Sequence, residues 1–164
     1  MPAVSLRRKP EALSFDQAAS VGVNYVAAWS GIEAAGLRAK ETMLVIGAGG
    51  GVGNAATQIA RRLGARVIAV DQRPPPPEVP IRSIAEKMIG GAKDLRAETH
   101  AATGGRGADV VFDLVGSVMF RSAVNSLAYG GRLIEIASTG QREASFDLID
   151  FYYNESRLSS ASTR

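Results

Sequence analysis

The 164-residue chain has no cysteine and a single histidine, His100. The missing thiols exclude disulfide frameworks, thiolate zinc sites, iron–sulfur clusters and cysteine nucleophiles. One imidazole is too few for most histidine-based metal sites. Long apolar runs are missing too: Gly, Asn or a charge breaks each one well before the roughly 18 residues that a membrane-spanning helix needs. Nor does charge of one sign dominate. Nineteen basic against sixteen acidic residues leave a net charge of +3, scattered rather than striped, which argues against a nucleic-acid surface. The basic run Arg7-Arg8-Lys9 reads as a solvated terminus. Nothing at the N-terminus has the pattern of a secretory signal, so a cytoplasmic location is expected.

What is present is apolar material, 46% of residues, enough for one buried core. The 18 glycines sit at the ends of the apolar runs, as α/β turns require. Ser14-Phe15-Asp16-Gln17 has the form of a capping box. It opens a helix that is expected to run to about Ala35, with an interruption near Gly22 and a stop at Gly36. Thr42 to Ile46 reads as a strand buried on both faces. It leads into Gly47-Ala48-Gly49-Gly50-Gly51-Val52-Gly53, a helix pattern closed by Gly64, and a second strand, Arg66 to Val70, ending at Asp71. Pro74 to Pro77 is a stiff surface loop. Beyond it a short strand near Met88-Ile89 and a helix from Asp94 to about Ala102 are predicted. Strands follow at Ala108–Asp113 and Arg132–Ala137, a helix at Val118–Leu127, a short helix at Asp147–Tyr153 and a weak strand at Arg157–Ser160. Alternating strands and helices predict a single doubly wound α/β domain with a mostly parallel sheet of about six strands. It would occupy residues 13–160, after an N-terminal extension (1–12) and before a tail (161–164).

The glycine cluster carries the chemistry. The fingerprint fits as Ala48-x-Gly50-x-x-Gly53, with Ala in place of the first glycine. Gly50 would let backbone approach a pyrophosphate, and Gly53 would let the helix pack closely on the strand. Five glycines in seven residues exceed the need of a turn, and Asp71 lies 21 positions beyond Gly50, where a carboxylate can accept ribose hydroxyls. The pattern therefore points to a dinucleotide held on the amides of Gly49, Gly50, Gly51, Val52 and Gly53. Asp71 favours NAD by repelling a 2′-phosphate, whereas Arg73 could pair with that phosphate and favour NADP, so the form stays open.

These motifs, with Ala18 to Trp29, Thr103 to Asp113 and Gly131-Arg132-Leu133, resemble the medium-chain dehydrogenase/reductase superfamily, in particular its zinc-independent quinone-oxidoreductase branch. The resemblance runs from about Leu13 to Leu158. It implies that Asp113, Val115 and Gly116 border the cofactor's central riboses, that Ala137, Ser138 and Thr139 lie near the nicotinamide, and that Asn24 and Tyr25 face the nicotinamide and substrate cleft, Asn24 as a cofactor contact. Packing between helices is the other reading of Tyr25 and Trp29. Ala27 stands where the family often has Thr, which removes a hydroxyl. The family also implies hydride transfer to a quinone or conjugated carbonyl, no zinc, a separate catalytic domain with no counterpart here, and a homodimer paired along the terminal strand. The alternatives are a cofactor-binding module without catalysis and a fold retained for association alone. His100, far from the glycine turn in sequence, reads as a surface residue.

Overall fold

The computed structural model describes residues 8–73, 75–76, 78–91, 94–139 and 141–161. Arg7 of the basic run, Pro74 and Pro77 of the proline run and residues 162–164 of the tail lie outside them. Six strands form one all-parallel sheet: β1 (Thr42–Ile46), β2 (Arg66–Asp71), β3 (Lys87–Gly90), β4 (Ala108–Asp113), β5 (Leu127–Glu135) and β6 (Arg157–Ser160). Their order is β3-β2-β1-β4-β5-β6. This is a Rossmann-like α/β fold with its reversal of direction between β1 and β4, the position at which such sheets open a crevice. The helices are α1 (Phe15–Ala35), α2 (Gly51–Arg62), α3 (Ile81–Ile84), α4 (Leu95–Ala102), α5 (Phe120–Asn125) and α6 (Leu148–Tyr153).

Because β1 is covered on both faces, all five of its residues are buried. Met43 and Val45 face α1 and α2, while Leu44 and Ile46 face α4 and α5. The predicted capping box is present at Ser14, and Gly36 ends α1 in the left-handed conformation at φ 58°. The helix is not interrupted at Gly22. No atom lies within 4 Å of where a Gly22 Cβ would be, so this glycine sits on an open face and the hydrogen-bond ladder passes through it.

Two further boundaries differ from expectation. The helix predicted over Val118–Leu127 is a 3-10 turn (Ser117–Met119) followed by α5, and Leu127 already belongs to β5. The last predicted strand residues before the crevice, Ile136 and Ala137, lie beyond the end of β5.

A bidentate pair fastens α1 to the sheet. Arg132 donates to both carboxylate oxygens of Glu41 (3.1 and 2.6 Å) and to the carbonyl of Ala35 (2.7 Å). Burial pushes the Glu41 carboxyl up, but the bonds from Arg132 and from the Arg38 amide outweigh it and hold it below its ordinary value. Arg132→Met leaves a half-buried carboxylate and a carbonyl without donors, and is expected to destabilise by about 2 kcal/mol at pH 7. The Glu41 contribution is present above pH 4.5, its ordinary value, and fades as pH falls through the lower folded value. Urea unfolding should therefore show the gap between wild type and variant closing in acid.

Candidate functional site

The carboxyl ends of β1, β2 and the segments after β4 and β5 enclose a cleft of about 650 Å³, lined by residues that include Gly47, Asp71, Arg73, Val115, Met119 and Thr139. On the α2 side, Gly50 caps the helix with no side-chain hydrogen bond, so the first amides of α2 are left without a side-chain partner. The turn is tight because Gly47 and Ala48 both donate to the Val70 carbonyl (2.9 and 3.0 Å). Gly53 has no room for a side chain: a Cβ there would meet the Gly47 carbonyl oxygen and lie 2.7 Å from Ala48 Cα.

Of the sequence-predicted residues, Asp71, Arg73, Val115 and Thr139 line this cleft. Asp71 reaches across from β2 to accept the Gly49 amide (2.8 Å) and also accepts the Arg73 amide (3.3 Å), which sets its carboxylate at the rim of the cleft. The Arg73 side chain is exposed beside it. Asn24 comes from α1 and lies over Gly51, its amide nitrogen 2.7 Å from the position a Cβ would take. Ala48 differs from its neighbours. It is fully buried and packs inward with the core, so its part is to shape the turn. Tyr25 packs partly buried on the same core, while Trp29 is half exposed on the outer face of α1. His100 stays remote, with Nδ1 2.9 Å from the Gly105 carbonyl oxygen.

Opposite the glycine turn, the two segments after β4 and β5 are joined. Thr139 donates both its amide (2.9 Å) and its hydroxyl (3.1 Å) to the Val115 carbonyl, and the Gln141 amide donates to the Ser117 hydroxyl (3.2 Å). Gly116 (φ 61°, ψ −153°) has a conformation open essentially to glycine alone. The amides of Val115 and Gly116 both donate to Asp113 Oδ1 (2.9 and 3.0 Å). Asp113 is thus a support beneath the cleft, with no exposed surface of its own. Burial pushes its carboxyl up against these two bonds.

Glu135, which sequence reasoning passed over, pairs in register with Asp113. Both of its carboxylate oxygens are buried without a hydrogen-bond partner. Burial first, and the neighbouring Asp113 charge second, push it up to about 8.

The comparisons with known proteins decide the family. Residues 51–163 match the family described as zinc-binding dehydrogenase. The human quinone oxidoreductase is 30% identical over 136 residues, 82% of this chain and 41% of that protein. The chain belongs to the medium-chain dehydrogenase/reductase superfamily, and within it is quinone-oxidoreductase-like.

Other members of the superfamily extend the likeness. The quinone oxidoreductase of Thermus thermophilus, whose structures include a complex with NADPH, superposes with a TM-score of 0.85 at 30% identity, over 99% of this chain and 52% of that one. A chain assigned as the enoyl reductase domain of a polyketide synthase gives 0.73 at 31% identity, over 86% of this chain and 78% of that one. A spectinabilin polyketide synthase protein of Streptomyces orinoci is 36% identical over 136 residues, 6% of its own length. The chain thus spans less than half the length of the human quinone oxidoreductase and a small part of the spectinabilin synthase protein. Despite the name of the matched family, no group of three or more His, Cys, Asp or Glu able to hold a metal occurs among the described residues. No helix among them is long and apolar enough to cross a membrane.

Proposed function

We propose that the chain binds a nicotinamide dinucleotide, NAD(H) or NADP(H), and forms the cofactor-binding part of a reductase acting on a quinone or conjugated carbonyl. The observation that carries this reading is the start of α2 just after the cleft-lining Gly47: a helix start without a side-chain cap, glycines at 49, 51 and 53 where a Cβ would collide with Asp71, Asn24 or the turn's own backbone, and a fixed carboxylate at the rim. The α2 amides would hold the pyrophosphate, with the helix dipole favouring its charge. Asp71 and Arg73 would face the adenosine ribose, and the segments carrying Val115 and Thr139 would border the nicotinamide half. When bound, the nicotinamide supplies a hydride from C4 to the acceptor. The chain's own residues bind the cofactor and orient it, which is the protein's share of such chemistry. Likeness to quinone oxidoreductases and to a polyketide enoyl reductase domain supports the acceptor class.

Side-by-side calorimetric titration with NADH and NADPH tests the reading, and saturable binding of at least one is the expected result. Asp71→Ala should raise the affinity ratio of NADPH to NADH by about tenfold, or ~1.4 kcal/mol, by removing a like charge, while Arg73→Ala lowers it. Absence of saturable binding of either cofactor would leave a fold kept for association. Binding without reduction of a quinone by this chain alone would favour the module reading. The wholly exposed β6 at the sheet edge supports a second copy pairing there; sedimentation showing only monomer at high concentration would count against it.

A further inference from the structure

Three buried acceptor oxygens, Asp113 Oδ2 and both of Glu135, meet no donor, yet they sit side by side at the ends of two paired strands. Both carboxylates converge on Gly116. Asp113 Oδ1 accepts its amide (3.0 Å), and Glu135 Oε1 lies 2.9 Å from where its Cβ would stand. We propose that Glu135 is a positioning residue that holds a proton at neutral pH, so that a single negative charge lies beneath the Gly116 turn and beneath the side of the cleft that carries Val115 and Thr139.

The proton belongs on Glu135 rather than Asp113 because Asp113 accepts two amides, which favour its anion, whereas at Glu135 only the nearby Ala137 amide does so. One proton between the two residues leaves a single negative charge in the pair. Removing it puts two anions together beneath Gly116, out of reach of water. The other charged groups on elements of this face are Arg96 and Glu98 on α4, Arg121 on α5, Arg142 and Glu143 after β5, Asp147 and Asp150 at α6, and Arg157 on β6. All eight are exposed, so none compensates a second buried charge. Ser160, opposite Glu135 in β6, is not titratable.

The effect of pH follows from a carboxyl raised in the folded state from 4.5 to about 8. Its stabilisation is fully present below pH 4.5 and is lost progressively as pH rises to about 8. Glu135→Gln carries a neutral donor at every pH and escapes this loss.

The experiment follows thermal unfolding of wild type and Glu135→Gln from pH 5 to 9, with ¹³C NMR titration of the glutamate carboxyls and NADH and NADPH titrations at pH 6.5 and 9. The expected result is a Tm gap that grows with pH in favour of the variant, one glutamate carboxyl titrating near 8, and cofactor affinity several-fold weaker at pH 9 in wild type alone. Asp113→Asn is expected to return the Glu135 titration toward the ordinary range. A pH-independent gap, or a Glu135 carboxyl titrating in the ordinary range, overturns the proton. A growing gap with unchanged cofactor affinity at pH 9 overturns the positioning role. The inference rests on the dinucleotide reading only for its binding arm, so failure to bind cofactor at any pH would sink that reading while unfolding and NMR still decide the proton.

Discussion

Gly53→Ala is expected to abolish saturable cofactor binding and to destabilise the fold by about 3 kcal/mol, whereas Gly50→Ala should weaken binding at least about tenfold and leave unfolding nearly unchanged. The contrast comes from what each new methyl group would meet. At Gly53 it runs into backbone on the inner side of the turn, the Gly47 carbonyl and Ala48 Cα, which cannot rotate away. The turn must open and α2 must lift from β1. At Gly50 the nearest atom is the Gly47 carbonyl oxygen at 3.4 Å, an ordinary contact, and the backbone (φ −72°, ψ 168°) suits any residue. Under the dinucleotide reading, a methyl there would crowd the pyrophosphate. Chemical denaturation together with cofactor titration separates the two effects. If Gly50→Ala bound as well as wild type, the glycines would be serving the turn and not a ligand.

The second large effect concerns the link between α1 and the sheet. Phe112 is fully buried in β4, and its ring edge lies 2.6 Å from where a Gly31 Cβ would be, beside Ile136 Cδ1 at 2.5 Å. The bare face of Gly31 is what lets α1 approach, and α1 carries Asn24 to the glycine turn. Phe112→Ala should cost about 4 kcal/mol through lost burial and the cavity left behind. Gly31→Ala alone should cost about 2 kcal/mol through overpacking against the ring. The double variant should lose clearly less than the sum, since the added methyl enters the space the ring vacates. Urea unfolding of the four proteins measures the coupling, and strict additivity would show that the two residues do not share this contact.

Legibility in the sequence followed the locality of the cause. The unit from Thr42 to Asp71 could be read because a continuous apolar run, a glycine cluster and a second run each state their structure within a few residues. The α5 boundary could not. Phe120, Val124 and Leu127 continue one apolar stripe, and all three are buried as that stripe suggests. Leu127 is buried as a strand residue instead, because Ala108 pairs with it from a distant part of the chain. Gly22 misled in the opposite direction, since a glycine on an exposed helix face costs too little to break a helix held by its other side.

In the site, Asp71 was legible by its spacing from the glycines, and the partner it finds, the Gly49 amide, lies in the very turn that the spacing was counted from. Ala48 was visible as part of the fingerprint, but not its inward burial. Glu135 gave no signal. A glutamate in the middle of Arg132-Leu133-Ile134-Glu135-Ile136 reads as a solvated position, and only the register with β4 brings it beside Asp113.

The bond from Arg132 to the Ala35 carbonyl closes a loop of 97 residues, and the Thr42 amide reaches Asp109 across 67. Contacts of such separation form late, because the chain entropy lost in closing the loop precedes any reward from packing. The bond that pins the end of α1 to β5 therefore forms late in folding. A refolding experiment should find the β1–α2–β2 unit protected from hydrogen exchange before the last turn of α1 is fixed to β5.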